Sequence, residues 1–209
     1  MSAQAAGLKL WHSVHSRSIR PLWLAKEMGL EIEVEMAPRD RAHFASDAWA
    51  EVNPAGKVPA AEHEGVRFGE SIAIMQYMLA RFGPSDLDVA PGSAEFAAFL
   101  FWMHYAEAGS CMYVATWLGS RAGMPDYAIS EGHEALCLER MGRMQRLIAQ
   151  ATADRPWLLA QGFSAADVAM GYTLHLARLG KYALAAPAAA YLARLRERPA
   201  FSEAVACGK

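Results

Sequence analysis

The residues best suited to chemistry in this 209-residue chain lie in two stretches, Asn53-Pro54-Ala55-Gly56-Lys57-Val58-Pro59-Ala60 and Gly69-Glu70-Ser71. Pro54 and Gly56 place a turn ahead of a short extended run that contains Pro59. Proline cannot donate to a sheet ladder, so Pro59 marks an edge, a bulge or a cis bond. A cis bond there turns the preceding backbone outward, and Val58 then offers its N–H and C=O to a peptide laid alongside. Glu70 and Ser71 open a helical pattern. The first turn of a helix has free N–H groups and partial positive charge, which suits a ligand carboxylate. A pairing edge beside such a helix start is a site for a small charged peptide. A third stretch, Ser13-Val14-His15-Ser16-Arg17-Ser18, is a hydroxyl-rich loop.

The elements that must position these residues follow from periodicity. Leu8 to His12 alternates as a short strand, Ile19 to Met28 has helical spacing closed by Gly29, and Leu30 to Met36 alternates again. Strand, helix and strand within so short a span form a βαβ unit, which predicts parallel strands. Pro38 to Ala50 is polar and reads as a short, loosely held helix. Val58 to Ala61 and Val66 to Phe68 read as short strands around the hairpin signal Glu62-His63-Glu64-Gly65. Ser71 to Phe82 is a helix, so residues 8–83 read β-α-β-α-β-β-α.

Proline and glycine then bracket a linker over residues 84–93, and the composition shifts. Long helical runs follow over Ala94 to Arg121 and Tyr127 to Ala151. Phe163-Ser164-Ala165-Ala166-Asp167-Val168 predicts a capping box, with Ser164 as N-cap, Asp167 at N3 and Phe163 stapled to Val168. A buried helix over Met170 to Leu179 and two short ones, Ala188 to Arg198 and Pro199 to Ala206, complete an all-α second half.

Composition narrows the function classes. The chain is 54% hydrophobic with a formal charge of −2, which excludes a disordered chain and argues against electrostatic capture of nucleic acid. No run of about 18 apolar residues predicts a membrane span. Met1 to Gly7 reads as a frayed tail and not as a signal peptide. Cys111, Cys137 and Cys207 are odd in number and too widely spaced for a zinc motif, so no metal is expected and a reduced, cytoplasmic protein is.

Taken in order, the Ser-rich first loop, Asn-Pro-Ala-Gly-Lys-Val-Pro, Glu-Ser before Ile-Ala-Ile, and Phe-Ser-Ala-Ala-Asp resemble the cytosolic glutathione transferase family along nearly the whole chain. The stretch Trp102-Met103-His104-Tyr105-Ala106-Glu107 is similar to helices of bacterial members. The resemblance implies an α/β plus all-α protein. A thioredoxin-like glutathione-binding domain would span 1–83, and an all-helical domain with the electrophile pocket would span 94–209. It implies that Val58, before the family's cis Pro59, pairs with the cysteinyl unit of glutathione. Glu70 would meet the γ-glutamyl amine, the Ser71 N–H its carboxylate, and Lys57 with His43 the glycyl carboxylate. Glutathione would be a co-substrate, with no bound cofactor. The protein would be a homodimer in a detoxification role, with Phe68, Met75 and Met78 as interface or core residues.

The thiol chemistry implied is modest. A thiol of pKa about 8.5 must lose one to two units to ionise well at neutral pH, each unit being about 1.4 kcal/mol. One hydrogen bond to a charged group supplies about 1.5–3 kcal/mol, and a helix N-terminus about 0.3–1 kcal/mol more. Family members use a tyrosine or a serine for this, or backbone N–H groups alone, and some use a cysteine for mixed-disulfide chemistry instead. No Tyr precedes Tyr77 here and the first Cys is Cys111, which leaves the serine type or the backbone. The family register puts His15 near the usual serine position, a departure from the pattern, with Ser16 beside it and Ser13 on the strand side. Ser16 is the first candidate, Ser13 the second, and His15 an assistant or a plain loop residue. Ser16 read without function is an N-cap. The pocket for a small hydrophobic electrophile is expected between the domains, lined by Tyr105, Met112, Tyr113 and Trp117 or by Trp11 and Val14. Substitution, conjugate addition, dehalogenation and isomerisation share this thiol chemistry. The alternative from another class is a non-enzymatic binding protein resembling the stringent starvation proteins.

Overall fold

The structure is a computed structural model and describes residues 4–209. Its contacts divide the chain into two compact units, residues 1–88 with 197–209, and residues 89–196. The boundary falls inside the predicted linker. The last helix belongs to the first unit, whereas the sequence assigns it to the helical half.

In the first unit, β1 (Gln4–His12), α1 (Ile19–Glu27) and β2 (Leu30–Met36) form the expected βαβ unit, with β1 and β2 parallel. The expected frayed tail is corrected in part: Gln4 to Gly7 run into β1, and residues 1–3 lie outside the described residues. The polar stretch after β2 holds two one-turn helices, α2 (Arg41–Phe44) and α3 (Asp47–Ala50), each started by a side-chain cap from Asp40 or Ser46. β3 (Ala60–His63) and β4 (Val66–Gly69) make the hairpin, and α4 (Ser71–Phe82) follows. The sheet runs β2-β1-β3-β4, with β3 antiparallel to both of its neighbours. β3 starts after Pro59 and not at Val58, leaving the Val-Pro step outside the ladder.

The core of this unit lies where α1 and α4 cover the sheet: Leu8, Leu10, Ile19, Trp23, Ile74, Met75 and Met78 are all buried. Met75 and Met78 have no exposed surface, which removes them as interface candidates; half-buried Phe68 packs on Tyr77. The final helix, α10 in chain order (Pro199–Ala206), is clamped onto α1. The Trp23 and Phe201 rings meet edge to face at 4.9 Å, Arg198 forks onto Glu27 at 2.6 and 2.7 Å, and Lys26 meets Glu203 at 2.8 Å.

In the second unit the predicted run 94–121 is interrupted. α5 (Phe96–His104) passes into a π-helical segment, Tyr105–Cys111, before α6 (Met112–Arg121). A π segment leaves carbonyls without the usual partner. Here the Ser110 hydroxyl donates to Tyr105 O at 2.8 Å, and Thr173 donates to Ala106 O at 2.9 Å. Gly109 lies under the Tyr105 ring, where a Cβ would come within 2.1 Å of it. α7 (Glu131–Ala151) follows a turn of 3-10 helix, then α8 (Ala165–Leu179) and α9 (Ala186–Arg196). α8 starts five residues earlier than its apolar run, at the capping box, and is buried at every position from Ala165 to Ala177. Thr173 sits in that helix.

The capping box is present as expected, and Asp167 does more than cap. Its carboxylate receives the Ser164 N–H at 2.9 Å, the Leu158 N–H at 3.0 Å and the Tyr191 hydroxyl at 2.8 Å. Burial pushes its pKa up, and the hydrogen bonds pull the other way. Phe163 packs its ring on Trp157 at 5.1 Å.

Candidate functional site

The loop between β1 and α1 is a closed hydrogen-bonded turn. Ser18, not Ser16, occupies the N-cap position of α1. The Ser16 Oγ instead accepts the Ser18 N–H at 3.2 Å and lies 2.5 Å from the Ser18 Oγ. The Ser18 Oγ stands 2.8 Å from His12 Nδ1 at the end of β1, and both residues are fully buried. Ser16 is half-buried and is the end of this chain nearer solvent. Ser16 is thus the hydroxyl of this loop nearer solvent, whereas Ser13 is buried and donates to the Ala37 carbonyl.

His15 has φ +60°, a left-handed conformation uncommon for residues other than glycine, though histidine adopts it more often than most. Burial holds its pKa below the ordinary histidine value, and the positive charges of Lys209 and Arg39 add to that. Half-buried Val14 gives its carbonyl to Arg39 at 3.4 Å. Trp11, an expected pocket residue, is instead interior: it is 4% exposed and packs with Ala37, Trp49 and Ala60, against which Val58 also sits. The reason is its register in β1, the central parallel partner of β2, where one face must be covered.

The second segment is organised by Asn53. Its side-chain amide donates to Lys57 O at 2.7 Å while its oxygen accepts the Ala55 N–H at 3.0 Å, which fixes the turn leading to Val58. The Val58–Pro59 bond is cis, as the family resemblance implies. Gly69 lies close enough to Asn53 that a Cβ there would sit 3.1 Å from the amide nitrogen, so the turn also touches the end of β4. His43 is packed on Trp49 at 5.0 Å and Phe44 at 5.4 Å with its Nε2 buried.

The third segment joins the other two. Glu70 has φ +66° and ψ 115°, a strained conformation for a side chain with a Cβ, of a kind that costs about 1–3 kcal/mol and is concentrated at ligand sites. Its carboxylate meets Lys57 Nζ at 2.8 Å; with the side chains 56% and 60% exposed, this pair contributes at most about 1 kcal/mol to stability. Lys57 is thus neutralised by Glu70 in this structure. Ser71 is 2% exposed, and its hydroxyl accepts from Arg20 Nη1 at 3.0 Å, a fully buried guanidinium on α1. What Ser71 can present outward is its main-chain N–H, at the first position of α4 where helices lack internal acceptors. The Arg20–Ser71 bond ties the Ser16 loop to the Glu70 turn, and Lys57–Glu70 ties that turn to Val58. Hydroxyl, pairing edge and helix start belong to one compact unit.

Sequence reasoning missed four of these positions. Asn53 was legible as an Asn-Pro-x-Gly turn former. Arg20 carried no signal, because a buried arginine looks like any helical arginine until its partner 51 residues away is placed. His12 and Ser18 needed the strand end and helix start in contact.

Of the remaining expected pocket residues, all in the second unit, Tyr105 stacks on Phe101 at 5.2 Å, and its hydroxyl has no hydrogen-bond partner among the described residues. Burial pushes its pKa up, against the pull of Arg143 and Arg140. Met112 is exposed, Tyr113 lies under Arg140, and Trp117 lines an open cleft of about 800 Å³ with Arg121, Leu138 and Tyr182. Among the described residues no group of three or more His, Cys, Asp or Glu is placed to hold a metal ion, and no helix is long and apolar enough to cross a membrane.

Residues 6–80 match the family model of the glutathione S-transferase N-terminal domain. The chain is 30% identical over 105 residues to glutathione S-transferase 3 of Schizosaccharomyces pombe, covering 50% of this chain and 43% of that one. It is 29% identical over 113 residues to human glutathione S-transferase theta-1, covering 51% and 46%. It thus spans less than half the length of either curated relative. Among solved structures, a sphingomonad glutathione S-transferase complexed with glutathione is 26% identical, with a TM-score of 0.79 over 94% of this chain and 96% of the other.

Proposed function

We propose that this chain is a member of the glutathione S-transferase family that binds glutathione on its first unit and activates the thiol for attack on a small hydrophobic electrophile, a reading supported by the match of residues 6–80 to the family's N-terminal domain and by the fold shared with the sphingomonad enzyme. The observation that carries the reading is the Arg20–Ser71 bond, which holds the hydroxyl loop against the Glu70 turn. Glutathione lies with its cysteinyl backbone along Val58. The γ-glutamyl carboxylate meets the N–H groups opening α4, and Glu70 takes the amine. On binding, Lys57 exchanges its contact with Glu70 for the glycyl carboxylate. Ser16 donates to the sulfur. Glutathione is the co-substrate, and the reaction calls for no metal or organic cofactor. The bound glutathione of the sphingomonad relative supports the ligand.

A hydrogen bond to a charged sulfur, about 1.5–3 kcal/mol, lowers the thiol pKa by one to two units. Retention on immobilised glutathione and turnover of 1-chloro-2,4-dinitrobenzene test the reading. Ser16→Ala is expected to keep binding while the thiolate absorbance of the complex titrates one to two units higher. A wild-type protein with neither binding nor turnover refutes it. A two-fold dimer accompanies the reading, checked by mass in solution.

A further inference from the structure

Three hydrogen-bonding groups lie in a row inside the first loop: the half-buried Ser16 hydroxyl, the buried Ser18 hydroxyl and the buried His12 imidazole. A single N-cap needs only one hydroxyl. The Ser16 hydroxyl takes the Ser18 N–H and the Ser18 hydroxyl takes the Ser13 N–H, and the imidazole lies beyond what either contact requires. A fully buried histidine is also costly unless its nitrogens are used.

We propose that His12 is the base that receives the glutathione thiol proton, relayed through Ser16 and Ser18. The inference rests on the reading of Ser16 as the group that faces the sulfur. The step balances as three coupled transfers. The thiol proton passes to the Ser16 oxygen, the Ser16 proton to the Ser18 oxygen, and the Ser18 proton to the lone pair on His12 Nδ1. One S–H bond breaks and one N–H bond forms, both serines end as neutral hydroxyls, and the products are a thiolate and an imidazolium. Ser16 then holds its new proton toward the sulfur, so the relay leaves the activating hydrogen bond in place.

Burial holds the His12 pKa below the ordinary histidine value, which leaves the resting ring uncharged but also a weaker base, so the proton stays on the ring only while the thiolate charge is held at Ser16. The Cys207 backbone from the C-terminal segment opposes that shift, while His12 Nε2 meets no hydrogen-bond partner among the described residues; the relay requires the tautomer that leaves Nδ1 unprotonated toward Ser18. The competing acceptor for the Ser18 proton, Ser13 O, is farther away, at 3.3 Å against 2.8 Å. The Ser13 hydroxyl is committed to Ala37. His15, the other titratable group of the loop, is disfavoured as a proton acceptor by Lys209 and Arg39. Resting hydrogen bonds therefore run Ser16 to Ser18 to His12, and protonation of His12 reverses them. His12 is a positioning residue, since it acts on the sulfur only through the two serines.

The test measures protons exchanged with buffer when glutathione binds at pH 7, by calorimetry in two buffers of different ionisation heat, alongside thiolate absorbance. Wild type is expected to form the thiolate with near-zero proton release. His12→Asn, whose amide oxygen still accepts from Ser18 but cannot be protonated, is expected to release close to one proton per thiolate, or to leave the thiol protonated. Ser18→Ala should behave like His12→Asn, and Ser18→Thr should restore the wild-type pattern. Full proton release by wild type, or a His12→Asn variant that forms the thiolate without releasing a proton, overturns the relay while glutathione binding and turnover keep the transferase reading intact. Should the variants fail to fold, the ring nitrogen shifts of His12 in the wild type decide. Saturation with glutathione must convert the ring to imidazolium, and an unchanged neutral ring overturns the relay. Absence of glutathione binding in wild type refutes the transferase reading and the relay with it.

Discussion

Replacing Asp167 by alanine removes the acceptor for two main-chain N–H groups, Leu158 and Ser164, and for the Tyr191 hydroxyl, in a site with no solvent exposure. The hydroxyls of Tyr191 and Ser164 can rotate toward other partners; the two N–H groups cannot move without the backbone. Each buried donor left without an acceptor costs about 1–3 kcal/mol. With the small cavity added, the loss is about 3–5 kcal/mol, a large fraction of the 5–15 kcal/mol typical of a folded domain. Asparagine separates the contributions. With its oxygen in the Oδ1 place it keeps Leu158 and Tyr191, while its NH2 faces the Ser164 N–H. It also removes a buried charge whose pKa burial has already raised. One donor–donor conflict costs about 1–3 kcal/mol. The order of stability is therefore wild type, then Asp167→Asn, then Asp167→Ala, read from urea unfolding with α8 helicity and tryptophan fluorescence followed together. A change under about 1 kcal/mol for the alanine variant, or an asparagine variant worse than alanine, refutes the assignment of Asp167 as the buried acceptor.

Asn53→Ala removes both hydrogen bonds that fix the turn before Val58. It should cost about 1–2 kcal/mol and weaken glutathione binding severalfold while leaving the thiol pKa of bound glutathione unchanged, read by calorimetry and thiolate absorbance. Gly109→Ala drives a methyl group into the Tyr105 ring and is expected to lose about 1–3 kcal/mol, visible in urea unfolding. His12 has its folded pKa lowered by burial, so the unfolded chain binds protons that the folded one refuses. Its contribution to stability is complete above the unfolded value of about 6.5 and is lost as pH falls below it. Urea midpoints should drop between pH 7 and pH 5, and less steeply in His12→Asn.

How much was legible differs between elements for physical reasons. β2 and α4 have the predicted bounds because each follows a clean period, two and 3.6, between glycine or proline signals. The π segment was not readable. Its sequence keeps helical spacing, and the carbonyl it frees is satisfied by Thr173, 67 residues further on. Met75 and Met78 showed that a methionine stripe is apolar without showing what covers it. Trp11 looked like a loop-side aromatic until β3 was placed beside β1.

Local rules settled the capping box, the turn at Pro54 and Gly56 and the parallel βαβ unit, because each depends on residues close to one another in the chain. Contacts across the fold settled the rest. They turned the Ser71 hydroxyl inward onto Arg20, joined Ser16 through Ser18 to His12, and returned the last helix to α1 through an Arg198–Glu27 pair 171 residues apart in the chain. Partners so far apart leave no periodicity to read, since their meeting depends on packing and not on spacing.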